Sequence, residues 1–147
     1  MKKVAINGMG RIGRAVFAIL QENTEFDLEL VAVNDLVPIE NLAYLLKYDS
    51  VYGTYTNDLN FAEDNVTINK KKVDVYHKKD PEELPWRDLC IDIVFECTGI
   101  FTKKDEVEKH IRAGAKKVIL SAPAKSEGLT TVVHGTNSAP DSDTSFS

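Results

Sequence analysis

Cysteine is scarce: two occur in 147 residues, Cys90 and Cys97, seven positions apart. So few thiols, read as sitting in apolar surroundings, give no disulfide framework. With the three histidines they show no zinc-ligand spacing. Basic charge is not in excess, since 18 Lys and Arg face 23 Asp and Glu for a net charge of −5. That balance argues against a general nucleic-acid binder. Lys70-Lys71-Lys72, Lys78-Lys79, Lys103-Lys104 and Lys116-Lys117 read as solvated element ends. No apolar run approaches a membrane span. The run behind Met1-Lys2-Lys3 breaks at Asn7-Gly8, too early for a signal segment. These absences lead to the expectation of a cytoplasmic protein with no nucleic-acid and no membrane partner.

What is present fits one globular domain, residues 1–147, with 43% hydrophobic and 28% charged residues. Val4-Ala5-Ile6 reads as a buried strand, and Ile12, Val16, Ile19 and Leu20 recur at helical spacing from about Arg11. Leu28 to Asn34 reads as a second strand, and Leu42, Leu45 and Leu46 mark a second helix. Between Asp49 and Trp86 the short alternating segments Val66-Thr67-Ile68 and Val73 to Tyr76 predict a small antiparallel β excursion. Alternation resumes with a strand at Ile91–Phe95, a helix at Lys103–Ala113 closed by Gly114, and a strand at Lys117–Leu120. Thr131-Val132-Val133 reads as a further strand, and the tail from Thr136 is polar. The fold class this predicts is α/β, a Rossmann-type, doubly wound and mainly parallel sheet.

Gly8-Met9-Gly10-Arg11-Ile12-Gly13 matches G-x-G-x-x-G, with a strand before it and a helix after it. Gly8 permits the tight turn, Gly10 lets a pyrophosphate approach the backbone, and Gly13 allows close helix packing. The N–H groups near Arg11 and Ile12 then face an anion, with Arg11 as a cation at the rim. Asp35 lies 22 residues past Gly13 at a strand end, where a carboxylate accepts from both ribose hydroxyls. A 2′-phosphate would meet like charge there, so NAD is expected in preference to NADP. Thr98-Gly99 and Ser121-Ala122-Pro123 follow apolar strands and are candidates for the nicotinamide half of a cleft, or else ordinary turns. Cys97 reads as a small buried thiol and not a nucleophile, because none of His77, His110 and His134 has a partner spacing.

The ordered motifs Val4 to Arg14, Val33-Asn34-Asp35-Leu36, Leu46 to Ser50, Glu96-Cys97-Thr98-Gly99, Ala113 to Ile119, Ser121-Ala122-Pro123 and Val133 to Asn137 resemble glyceraldehyde-3-phosphate dehydrogenases over essentially the whole chain. The resemblance implies NAD as cofactor, with Gly8, Gly10, Arg11, Ile12 and Gly13 at the pyrophosphate and Asp35 at the adenine ribose. It places Lys79 beside the adenine, and Thr98, Gly99 and Ser121 near the nicotinamide. It also implies a homotetramer for the full-length enzyme, acting on glyceraldehyde-3-phosphate and phosphate. Met9 stands where that family usually has Phe, Lys79 where it has Arg, and Tyr52 where it has His.

By the same resemblance, the nucleophilic cysteine, general-base histidine and phosphate site belong to a second domain following Ser147, outside these 147 residues. No catalytic residue is therefore assigned in this chain, which is expected to be silent alone and to form a monomer or weak dimer. Erythrose-4-phosphate dehydrogenase is an alternative, although Asp35 and Ala122 stand where it tends to carry Glu and His. A non-catalytic NAD-binding protein is another, and a flavin or S-adenosylmethionine domain a more distant one.

Overall fold

The computed structural model describes residues 1–22, 25–48, 59–68, 70–101 and 103–121, and the backbone of 145–146. Strand β1 (Lys2–Asn7) is followed by α1 (Arg11–Glu22), β2 (Leu28–Asn34) and α2 (Ile39–Tyr48). Then come β3 (Leu59–Phe61), β4 (Asn65–Ile68), β5 (Lys71–Tyr76), β6 (Ile93–Glu96), α3 (Lys104–Ala113), β7 (Lys117–Leu120) and β8 (Ser145–Phe146). They form one eight-stranded sheet in the order β3-β4-β5-β2-β1-β6-β7-β8. The six strands from β5 to β8 are mutually parallel. The chain starts at β1, winds outward through β2 to β5, and returns to β6 on the other side of β1. The reversal leaves a crevice at the carboxyl ends of β1 and β6, the place where such sheets bind ligands.

β1 reads as an unbroken apolar run because both faces of the sheet are covered. Val4 and Ile6 enter one core with Met9 and Phe17, and with Leu42 and Leu46 of α2. Ala5 enters the other, with Trp86, Val94, Val107 and Val118. Each fully buried large side chain contributes about 1.5–3 kcal/mol. The β1–β2 register shifts between Val4 and Ala5, which pair with Leu30 and Ala32 and leave Val31 as an extra residue. Val31 and Ala32 consequently both pack toward the Trp86 core.

The antiparallel excursion exists, but it is not separate from the main sheet. β3–β4 and β4–β5 pair antiparallel, and β5 then pairs parallel with β2. Lys70 turns the β4–β5 hairpin at φ 69°. Residues 49–58 and the strand expected at Thr131–Val133 lie outside the described residues, as do Tyr52, Ala122 and His134. One strand starts two residues later than expected. Strand β6 starts at Ile93, because the Ile91 N–H donates to Trp86 O and Ile91 plugs the second core from a turn. Cys90 is exposed in that turn at φ 55°, not in apolar surroundings. A 3-10 turn at Pro81–Glu83, capped by the Asp80 carboxylate accepting from Glu82 N–H, had no sequence forecast.

α3 begins where Glu106 accepts from the Lys103 N–H (3.2 Å); Lys103 offers no acceptor in return. Gly114 ends it at φ 120°, where a Cβ would meet the Arg87 backbone.

Candidate cofactor site

The turn from β1 to α1 is built by close approach. Gly8 has φ 95°, and its N–H donates to Asn34 O at 2.8 Å. A Cβ on Gly8 would lie 2.8 Å from Thr98 N and 2.9 Å from the Cys97 carbonyl carbon. The turn therefore rests on the end of β6. A Cβ on Gly13 would collide with Gly8 O, so glycine sets how closely α1 approaches the turn. At Gly10 a Cβ would meet nothing within 4 Å. Of the three glycines of the turn, Gly10 is the one with space before it. The first α-helical bond of α1 is Arg14 N–H to Gly10 O, so the N–H groups of Arg11, Ile12 and Gly13 have no acceptor within the helix. They carry the positive end of the helix dipole at the start of α1.

Asp35 caps β2 beside this turn. Its Oδ2 accepts from Met9 N–H at 2.6 Å and its Oδ1 from Val37 N–H at 3.0 Å. Each oxygen retains lone-pair capacity for a second donor. The His77 ring donates from Nδ1 to the Asp35 carbonyl oxygen (2.8 Å).

A cleft of about 660 Å³ runs along these strand ends. Of the residues expected at a site, Gly8, Gly10, Asp35, Lys79 and Thr98 line it. Gly13 lies buried beneath the turn, and Arg11 and Ile12 are exposed at the start of α1. Gly99 is exposed at φ 74°, and Ser121 is exposed at the end of β7; neither lines the cleft. Sequence reasoning missed Leu36, Ile100 and Phe101, which supply apolar walls. Leu36 is 60% and Ile100 69% exposed. Their signal was present as apolar residues directly after Asp35 and Gly99. Lys109, paired with Asp80 at 3.6 Å, reaches the same cleft from α3.

Beneath the cleft lies a connected set of buried polar side chains that sequence reasoning also missed. Asn34 pairs with the Lys78 backbone at two points, accepting from its N–H (2.8 Å) and donating to its carbonyl (3.0 Å). Asn34 also donates to Asn7 Oδ1 (2.7 Å), and Asn7 donates to Glu96 Oε2 (2.7 Å). His110 Nε2 lies 2.6 Å from Glu96 Oε2, and Trp86 Nε1–H donates to His110 Nδ1 (2.9 Å). An indole nitrogen only donates, so Nδ1 is the acceptor and Nε2 carries the ring proton toward Glu96. Nε2 also lies 3.4 Å from Asn7 Nδ2, but two donors face each other there and the bond belongs to Glu96. The other carboxylate oxygen, Oε1, accepts from Thr98 N–H (3.0 Å) and Thr98 Oγ1–H (2.5 Å). Asn7, Asn34, Glu96 and His110 are all buried.

Cys97 lines the cleft, yet burial pushes its thiol up to about 11, with the Ser121 hydrogen bond acting the other way. It remains a neutral thiol at ordinary pH. Among the described residues no group of His, Cys, Asp and Glu is placed to hold a metal ion, and no helix is long and apolar enough to cross a membrane.

The chemistry on offer is an anion cradle, a carboxylate beside it, and an apolar slot. Residues 2–104 match the family model described as glyceraldehyde 3-phosphate dehydrogenase, NAD binding domain. The chain is 47% identical over 133 residues to a glyceraldehyde-3-phosphate dehydrogenase of Thermotoga maritima, covering 90% of this chain and 40% of that one. It is 50% identical over 137 residues to that of Clostridium acetobutylicum (93% and 40%), and 50% over 135 residues to that of Geobacillus stearothermophilus (92% and 39%). The chain thus spans about 40% of the length of these curated relatives, and none of the alternative readings is favoured by them. The cofactor of the matched domain is NAD, and this chain belongs to the NAD-binding domain family of glyceraldehyde 3-phosphate dehydrogenase.

Proposed function

We propose that the 147 residues act as one dinucleotide-binding domain and hold NAD along the cleft. The observation that carries this reading is the Asp35 carboxylate fixed beside the Gly8–Gly13 turn, with open space at Gly10. The pyrophosphate sits at the start of α1, on the N–H groups of Arg11 and Ile12, and Arg11 supplies a cation. Gly8 and Gly13 shape the turn beneath it. The remaining lone pairs of Asp35 accept from the adenine ribose. Leu36, Ile100 and Phe101 sandwich the adenine, with Lys79 alongside. Thr98 lies under the middle of the ligand, against Gly8. Its N–H and hydroxyl proton are engaged by Glu96, so it offers its carbonyl oxygen. Gly99 and Ser121 lie toward the nicotinamide end.

When bound, NAD supplies a hydride acceptor; the residues of this chain bind and orient it. The longer protein oxidises the aldehyde group of glyceraldehyde-3-phosphate with inorganic phosphate and NAD, giving an acyl phosphate, NADH and a proton. That activity, a homotetrameric assembly and a cytoplasmic location are proposed for the whole enzyme. The domain alone is inactive and monomeric or weakly dimeric.

Calorimetry with NAD and NADP tests the binding reading. Micromolar to millimolar binding of NAD, tighter than NADP, is expected. No heat with NAD at millimolar concentration would overturn it.

A further inference from the structure

We propose that the buried His110 is a positioning residue for the cofactor cleft, acting through Glu96 to hold Asn7 and Thr98, the two residues that bracket the phosphate turn. The proposal rests on the reading of this cleft as the NAD site. His110 does not line the cleft. It lies on the inner face of α3 between Val107 and Ala113, with no exposed surface.

The argument starts from Glu96. A fully buried carboxylate is costly unless its lone pairs are satisfied. Here they accept from Asn7, His110, the Thr98 N–H and the Thr98 hydroxyl. The first two fix Oε2, and that orientation aims Oε1 at Thr98. Asn7 immediately precedes Gly8, and Thr98 N would be 2.8 Å from a Cβ on Gly8. One carboxylate therefore ties together both walls of the turn on which the pyrophosphate rests. Trp86 completes the device by occupying His110 Nδ1, which leaves Nε2–H as the donor to Glu96. In the other tautomer Nε2 would have no proton to give. A histidine with a donor fixed on one side thus becomes a donor of fixed direction on the other.

Two measurements test this on the chain itself, for wild type, His110→Leu, His110→Gln, Thr98→Val and the double variant. The first is amide hydrogen exchange at Thr98 without ligand. His110→Leu should accelerate it at least about tenfold, as loss of a hydrogen bond to a charged group predicts. His110→Gln, which keeps an N–H in reach of Glu96, should restore most of the protection. The second is NAD affinity by calorimetry. His110→Leu should weaken binding about tenfold, and the losses from His110→Leu and Thr98→Val should fail to multiply, because both act on one contact. Trp86→Phe is a second variant should His110→Leu not fold; it frees the tautomer and should also accelerate Thr98 exchange. Unchanged Thr98 exchange in a folded variant, or affinity losses that multiply as for independent sites, would overturn the proposal. If wild type binds no NAD, the cofactor reading fails, and the exchange arm still decides the role of His110.

Discussion

The main-chain N–H of Met9 donates a 2.6 Å hydrogen bond to the side chain of Asp35. The residue expected to recognise a ribose is thus also the pin that holds the glycine turn to β2. The two roles are compatible because a carboxylate has room for further donors on each oxygen. They are not separable by simple truncation.

Asp35→Gly is therefore expected to lose more than ribose recognition. Removing bonds to a charged group, each about 1.5–3 kcal/mol, should weaken NAD by at least tenfold. NADP should lose less, because a like charge near its 2′-phosphate disappears; that repulsion is about 4 kcal/mol at about 4 Å before screening. Asp35→Asn should fall between wild type and Gly. Parallel titrations with both dinucleotides check this, and an unchanged NAD-to-NADP ratio would assign Asp35 to the turn alone.

Gly10→Ala and Gly13→Ala should part company. A Cβ at Gly13 collides with Gly8 O, so Gly13→Ala should cost about 1–3 kcal/mol of stability. Helix propensity would return at most about 1 kcal/mol of this. Gly10→Ala meets no protein atom within 4 Å and should unfold like wild type, yet bind NAD more weakly because its methyl enters the ligand's space. Thermal melts beside calorimetry read both. Similar melting of Gly13→Ala and wild type would contradict the geometry.

The two thiols should react at very different rates. Cys90 is exposed, whereas burial holds Cys97 protonated until about pH 11. Iodoacetamide at pH 8 should label Cys90 first, and mass spectrometry locates the adduct. The same shift predicts an alkaline loss of stability. A thiol whose folded value is raised from 9.0 to about 11 ionises first in the unfolded chain. Its contribution is full below pH 9, declines above it, and is gone beyond about 11. Cys97→Ala should flatten that part of a stability-versus-pH curve.

Asp92 contributes on the acid side. It accepts from Lys3 N–H (2.9 Å) and pairs with Lys116 (3.0 Å), and these hold its carboxyl below the ordinary 3.8. A depressed folded value stabilises above pH 3.8 and is lost as pH falls through the folded value. Asp92→Asn should lower the melting temperature at pH 7 and converge on wild type in strong acid. A difference that persists undiminished at pH 2 would contradict this.

Much of the parallel frame was legible because its signals are local. Val4 to Ile6 and Lys117 to Leu120 are short apolar runs, Gly114 closes α3, and the spacing from Gly8 to Asp35 belongs to a strand-turn-helix-strand unit. The connected polar side chains were not legible. Asn7, Asn34 and Glu96 each look like an ordinary polar residue ending a strand, and only the sheet order makes them neighbours. His110 did leave a trace, since its spacing from Val107 and Ala113 puts it on the buried stripe of α3. Its partners, Glu96 and Trp86, come from elsewhere in the chain, so no spacing rule joins them. The β6 boundary was misplaced for a related reason. Ile91 is apolar and buried, but tertiary contact with the Trp86 loop, not ladder pairing, buries it.

The extra residue in β2 acts as a phase shifter. Leu28 and Leu30 point to the Phe17 core, and an unbroken alternation would send Ala32 and Asn34 the same way. Because Val31 is inserted opposite the Val4–Ala5 step, Ala32 turns to the Trp86 side, Val33 to the Phe17 side, and Asn34 stands level with Asn7. Straightening β2 with Val31 retained would keep the composition of the strand intact and reverse the facing of everything after Val31. Asn34 would turn away from Asn7, and Asp35 would leave the glycine turn. A single backbone irregularity far below the cleft thus decides which side chains arrive at its rim.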